Sequence, residues 1–173
     1  MILYLLRHGI AVDRDAADIG SDADRPLTAK GERRMLREAN AMQALGLEFG
    51  EIFTSPLVRA EQTAGIIAQA YEAQGKVVTT EALAPGLGFG ARLDQQSPIV
   101  ALLRQRALES ALLVGHEPDL SHLASLLLTA NLNLKLQLKK GGLCAINVHD
   151  LTTCTENELL WLLAPRQLRA IRG

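Results

Sequence analysis

The chain is 173 residues long, 48% hydrophobic and 21% charged, with a formal net charge of −1. One domain with a continuous core fits that length, and the apolar content excludes a disordered chain. The near-balance of charge excludes a general nucleic-acid or membrane partner, so function is to be sought in a local constellation of residues.

In chain order, the continuous apolar run Ile2 to Leu6 predicts a strand buried on both faces. Arg7-His8 ends that run far short of a signal-peptide core or membrane span, which predicts a soluble, cytoplasmic protein. Met35, Leu36, Ala39, Met42 and Leu45 recur at helical spacing, with Thr28 as N-cap and Gly46 as stop. Glu51 to Thr54 reads as a strand. Ser55-Pro56 then signals a helix start, with Ala60, Ala64, Ile67 and Tyr71 on one face up to Gly75. Val77 to Thr80 is a further strand. Gly86 to Ala91 reads as a flexible loop and not a dinucleotide-binding turn, because no helix opens there.

Ser97-Pro98 repeats the helix-start signal, Ala111 to Val114 is a second strand buried on both faces, and a helix follows from about Asp119 to Ala130. Strands over Leu143 to Val148 and Leu159 to Leu163 complete the pattern. The two cysteines, Cys144 and Cys154, have no spacing that suits zinc or a disulfide framework, and Cys144 reads as a small core residue. Apolar strands alternating with helices, without repeats or linkers, predict a single α/β domain over residues 1–173.

Two interior strands end alike, with a histidine beside a glycine: Arg7-His8-Gly9 and Gly115-His116-Glu117-Pro118. Ligands bind at the carboxyl ends of strands in parallel and mixed sheets, so His8 and His116 are expected to face one another. The segment Ser55 to Thr63 starts a helix directly after a strand, offering unpaired N–H groups, the positive end of the helix dipole and the Arg59 guanidinium. Arg7 and Arg59 could together grip the oxygens of a phosphoryl group and stay charged at any physiological pH.

These segments, in this order, resemble the histidine phosphatase superfamily. Arg25-Pro26-Leu27-Thr28, with Gly31 shortly after, resembles its short bacterial branch, the SixA-type phosphohistidine phosphatases. The resemblance implies a three-layer α/β/α sandwich with a mostly parallel sheet, the phosphoglycerate mutase-like fold. It implies His8 as a nucleophile that becomes phosphorylated, with Arg7, Arg59 and His116 binding and neutralising the phosphoryl group. Ser55 is most simply a helix cap, with phosphate contact as a further role. The flanking arginines are expected to keep His8 neutral, and because they can supply the charge that a metal supplies elsewhere, no metal or other cofactor is implied.

Phosphate esters need an acid to protonate the leaving alkoxide, and Glu81 is the best-placed candidate, although a solvated strand end is the preferred reading of it. Ile10-Ala11-Val12 lacks the Glu-Ser and downstream Asn of phosphoglycerate mutases, which disfavours mutase activity. Phosphohistidine relaxes the need for an acid, and no stretch is long enough for a separate cap domain. The expected substrate is therefore phosphohistidine on a signalling protein such as a histidine phosphotransfer domain. A small-molecule phosphomonoesterase, with Glu81 or an acid from Asp13 to Asp24 as proton donor, and a non-catalytic phosphate-binding module are the alternatives. His122 and His149 read as surface or supporting residues. Arg33, Arg34 and Arg37, like Arg166, Arg169 and Arg172, read as solvated faces, the nearer group able to help dock an acidic protein.

Overall fold

A computed structural model of the chain describes residues 1–15, 19–86, 93, 97–152 and 156–171. Its strands are β1 (Ile2–Arg7), β2 (Glu51–Thr54), β3 (Val77–Thr79), β4 (Ser110–Gly115), β5 (Leu143–Asn147) and β6 (Glu158–Leu163). Its helices are α1 (Ala29–Ala44), α2 (Val58–Ala70), α3 (Pro98–Arg106), α4 (Asp119–Thr129) and α5 (Pro165–Leu168). All six strands join one sheet in the order β3-β2-β4-β1-β5-β6. β1 runs parallel to β4, β4 to β2 and β2 to β3, while β5 is antiparallel to both β1 and β6.

Alternation along β1 divides the core into two faces. Leu3 and Leu5 pack with Phe53, Leu113 and the apolar sides of α3 and α4, including Ile99, Leu103, Leu120 and Leu123. Tyr4 and Leu6 pack on the other face with Ile52, Leu112 and residues of α1, α2 and α5, including Met35, Ala64 and Leu168. Helices on both faces of a mostly parallel sheet make the expected α/β/α sandwich. Leu3, Leu5 and Leu6 are fully buried, each stabilising by about 1.5–3 kcal/mol relative to exposure. Cys144 is buried on β5 as a core residue, and burial pushes its thiol up to about 12.

The first helix starts as the sequence predicts: the Gly31 N–H donates to Thr28 Oγ1 at 3.0 Å. The second does not. α2 opens at Val58, with Leu57 in the N-cap position and no side-chain cap, because Ser55 is turned to another use described below. α2 also ends at Ala70, ahead of Gly75, and the short α5 has no counterpart among the predicted elements.

The Arg25-Pro26-Leu27-Thr28 motif has a plain physical task. Ala11 bridges Leu27, the Val12 N–H donates to the Pro26 carbonyl, and the Thr28 N–H donates to the Ile10 carbonyl, so this segment braces the chain that leaves His8. Gly31 completes the brace, since a Cβ there would lie 2.1 Å from the Ile10 carbonyl oxygen. Cys154, Arg172 and the Leu87–Ala91 part of the predicted loop lie outside the described residues. Among the described residues, no helix is long and apolar enough to cross a membrane.

Candidate active site

β2, β4 and β1 are neighbours at the middle of the sheet, so their carboxyl ends bring Ser55, His116 and His8 together. Arg7 is paired with Gly115, and the His8 N–H donates to the Gly115 carbonyl at 3.1 Å. The imidazoles of His8 and His116 lie with centroids 5.0 Å apart and planes inclined at 53°. Both are buried, at 6% and 3% exposure, as a site that excludes bulk water requires. His8 Nδ1 is 2.7 Å from the Gly9 carbonyl oxygen. A carbonyl only accepts, so Nδ1 carries the proton and Nε2 keeps a free lone pair.

Ser55 stands behind His116, fully buried, with Oγ 2.8 Å from His116 Nε2. The same Oγ accepts the Leu57 N–H at 3.3 Å; with His116 Nε2 the one further partner described for this buried hydroxyl, its proton is satisfied by donation there, which puts the imidazole hydrogen on Nδ1. Ser55 is thus neither the helix cap nor open to a ligand; it orients His116.

Arg7 donates through Nη1 to the Leu138 carbonyl at 2.9 Å, and its Nε is buried without a partner. Arg59 is gripped by Asp22: Nη2 donates to Asp22 Oδ2 at 2.9 Å and Nη1 to the Asp22 carbonyl at 2.6 Å. Asp22 Oδ1 also accepts from Arg14 at 3.0 Å and Arg25 at 2.7 Å. Arg25, followed by Arg59 and against the opposing effect of burial, holds that carboxyl well below the usual carboxylate range. Asp22 is therefore a fixed acceptor, unsuited to the proton-donor role that the alternative reading, a small-molecule phosphomonoesterase, offered to Glu81 or an acid from Asp13 to Asp24. Arg59 Nε and His116 Nδ1, like Arg7 Nε, are buried without partners.

Burial, more than the arginines, sets the protonation of the two histidines. It pulls His8 down to about 3, with His116, Arg59 and Arg7 adding smaller effects against the opposing Gly9 carbonyl. It pulls His116 down to about 4, assisted by Arg59. Sequence reasoning expected neutrality from the flanking charges; desolvation is the larger cause.

Three further residues matter that the sequence did not single out. Besides Asp22, Thr63 is fully buried and its Oγ1 accepts the Gly9 N–H at 3.0 Å while donating to the Arg59 carbonyl at 2.7 Å, tying His8's loop to α2. Glu117 accepts a bond from Ser121 Oγ at 2.7 Å through Oε2, and its Oε1 is buried without a partner. Burial raises its carboxyl pKa, against lowering by Ser121 and Arg7. A helical i, i+4 spacing from Glu117 to Ser121 was the available signal. Glu81, by contrast, is exposed at the start of a 3₁₀ turn, Glu81–Leu83, after the edge strand β3. His149 follows antiparallel β5 and so lies at the end of the sheet opposite His8.

A family model described as the histidine phosphatase superfamily (branch 1) matches residues 3–86. An uncharacterized protein of Picosynechococcus sp. is 42% identical over 172 residues, which span 97% of this chain and 99% of that protein. Among solved structures, the protein histidine phosphatase SixA complexed with tungstate superposes with a TM-score of 0.78 at 23% identity, over 97% of this chain and 99% of that one. The α-ribazole phosphatase of Shigella flexneri superposes with a TM-score of 0.71 at 17% identity, over 95% of this chain and 97% of that one. At these identities the two structural likenesses establish the fold.

Proposed function

Because this chain belongs to the histidine phosphatase superfamily, we propose that it is a phosphatase in which His8 is the nucleophile and phosphohistidine on another protein is the substrate. One observation carries the reading: the His8 ring, its Nε2 free, lies 5.0 Å from that of His116 and within electrostatic reach of Arg59 and Arg7, and Arg7 Nε, Arg59 Nε and His116 Nδ1 are all buried without partners. Buried donors are otherwise satisfied in folded proteins, and this set matches what a tetrahedral oxyanion accepts. The likeness to a SixA protein bound to tungstate, itself a tetrahedral oxyanion, supports the same reading.

In the first step His8 Nε2 attacks phosphorus in line as the substrate's P–N bond breaks, and the substrate imidazole leaves with a proton from solvent. The two arginines and His116 Nδ1 stabilise the charge on the equatorial oxygens. In the second step water attacks the phosphorylated His8, inorganic phosphate leaves, and the Nε2 lone pair is restored. Asp22 holds Arg59 in place by accepting two of its N–H groups.

Rapid-quench labelling with a ³²P-phosphohistidine protein tests the proposal. An acid-labile, alkali-stable phosphoenzyme is expected in the wild type and none in His8→Ala; a label that persists in His8→Ala sinks the nucleophile assignment. A second reading, hydrolysis of small phosphate esters, is favoured by Glu117, which has a buried and unpartnered carboxyl oxygen and a charge that acts on Arg7. Ester turnover that exceeds phosphohistidine turnover and falls at least about tenfold in Glu117→Gln or Glu81→Gln would establish it.

A further inference from the structure

Arg7 is shared between the site around His8 and a second, open cavity of about 450 Å³. Arg34 of α1, Lys139 and Lys140 before β5, and Arg166 and Arg169 at α5 line that cavity with it; the rest of the lining is aliphatic, and no acidic side chain contributes. Arg169 is bonded to buried Glu38 and is not the solvated cation that the sequence suggested. Among the described residues, no carboxylate lies within ion-pair distance of Arg34, Lys139, Lys140 or Arg166. The chain as a whole carries a net charge of −1, so this basin is a local concentration of charge and no consequence of composition.

Cations that outnumber the acidic groups around them repel one another and raise the local potential, which draws in an anion of matching size. Burial first, and then Arg7, Arg25 and Arg59 against the opposing effect of Asp13, lower the affinity of Lys140 for a proton. Lys139 and Arg166 are exposed and the other four side chains half-buried, a spread rim of cations rather than a single fork for one small phosphate. No aromatic ring lines the cavity to stack a base, which disfavours nucleic acid.

We propose that this basin receives acidic side chains of the protein that presents the phosphoryl group. The substrate is then held at two anionic points, phosphoryl at His8 and carboxylates between α1 and α5. The proposal rests on the phosphoprotein reading above and names the surface chemistry of that protein.

Two peptides test it, each carrying a non-hydrolysable phosphotriazole isostere of phosphohistidine, one flanked by Asp and Glu and the other by Asn and Gln. By calorimetry the wild type is expected to bind the acidic peptide at least about tenfold more tightly, with a steeper salt dependence. That preference should collapse in K139E/R166E and fall partway in K139Q/R166Q, with circular dichroism confirming that each variant folds. Equal wild-type affinity for the two peptides, or a preference untouched by charge reversal, overturns the proposal. So does a single-stranded oligonucleotide that displaces the acidic peptide and loses that ability in K139E/R166E, which would make the basin a nucleic-acid site. A preference for acidic flanks without turnover of the matching phosphohistidine peptides would instead sink the phosphatase reading and leave the basin standing.

Discussion

His8 carries its proton on Nδ1 because the Gly9 carbonyl can only accept, and that one bond decides which ring nitrogen reacts. The phosphoenzyme is expected to be the Nε2 isomer, distinguishable from the Nδ1 isomer by ³¹P NMR. Neither His8 nor His116 should titrate between pH 5 and pH 8 in histidine-resolved NMR, since burial holds them near 3 and 4. As pH falls below about 6.5, the ordinary histidine value, an unfolded chain binds protons that the folded one refuses, so these residues lower stability progressively down to pH 4 and below. Glu38, raised to about 7, works in the opposite sense: its contribution is present at low pH and is lost as pH rises toward 7. A denaturation midpoint that drops less between pH 7 and pH 4.5 in His8→Gln than in the wild type would isolate the histidine part. Ser55→Ala leaves His116 Nε2 without its partner, so a loss of about 1–3 kcal/mol in transition-state stabilisation is expected, read as a fall in kcat/KM.

The helices and loops around the site differ in how much of their role the sequence discloses. α1 is legible in full, because its start depends on one local bond from Gly31 to Thr28, and Thr28→Ala should lower stability by about 1 kcal/mol in urea denaturation. The start of α2 is not, although Ser55-Pro56 has the local form of a cap: a serine hydroxyl can serve a backbone N–H or a distant histidine, and only tertiary packing decides. The pairing of His8, His116, Arg7 and Arg59 was readable from strand ends and charge types. Asp22 and Thr63 were not, since each acts through a partner far along the chain, Asp22 through Arg59 and Thr63 through Gly9. Thr63→Val preserves volume but strands the Gly9 N–H, so a loss of about 1–3 kcal/mol in stability and a lower kcat are expected together.

At the scale of the molecule, the strand that delivers His8 is also the strand that ties the sheet together. Its interior neighbours include Leu113, fully buried on β4, and Leu113→Ala should lower unfolding free energy by about 2–5 kcal/mol. Among the described strands β1 comes first in sequence and its partners come late: Ile2 lies opposite Ser110 on one side and Asn147 on the other. During synthesis its apolar side chains wait for β4 to emerge, and no earlier strand substitutes for it, since β2 pairs with β3 and β4. Closing such long loops precedes the contacts that reward it, so refolding should be slow for a chain of this size. The two histidines meet only when that closure is complete. Enzymatic activity should therefore return in step with the last recovery of tryptophan fluorescence from Trp161, which packs beside Tyr4 of β1, and never ahead of it.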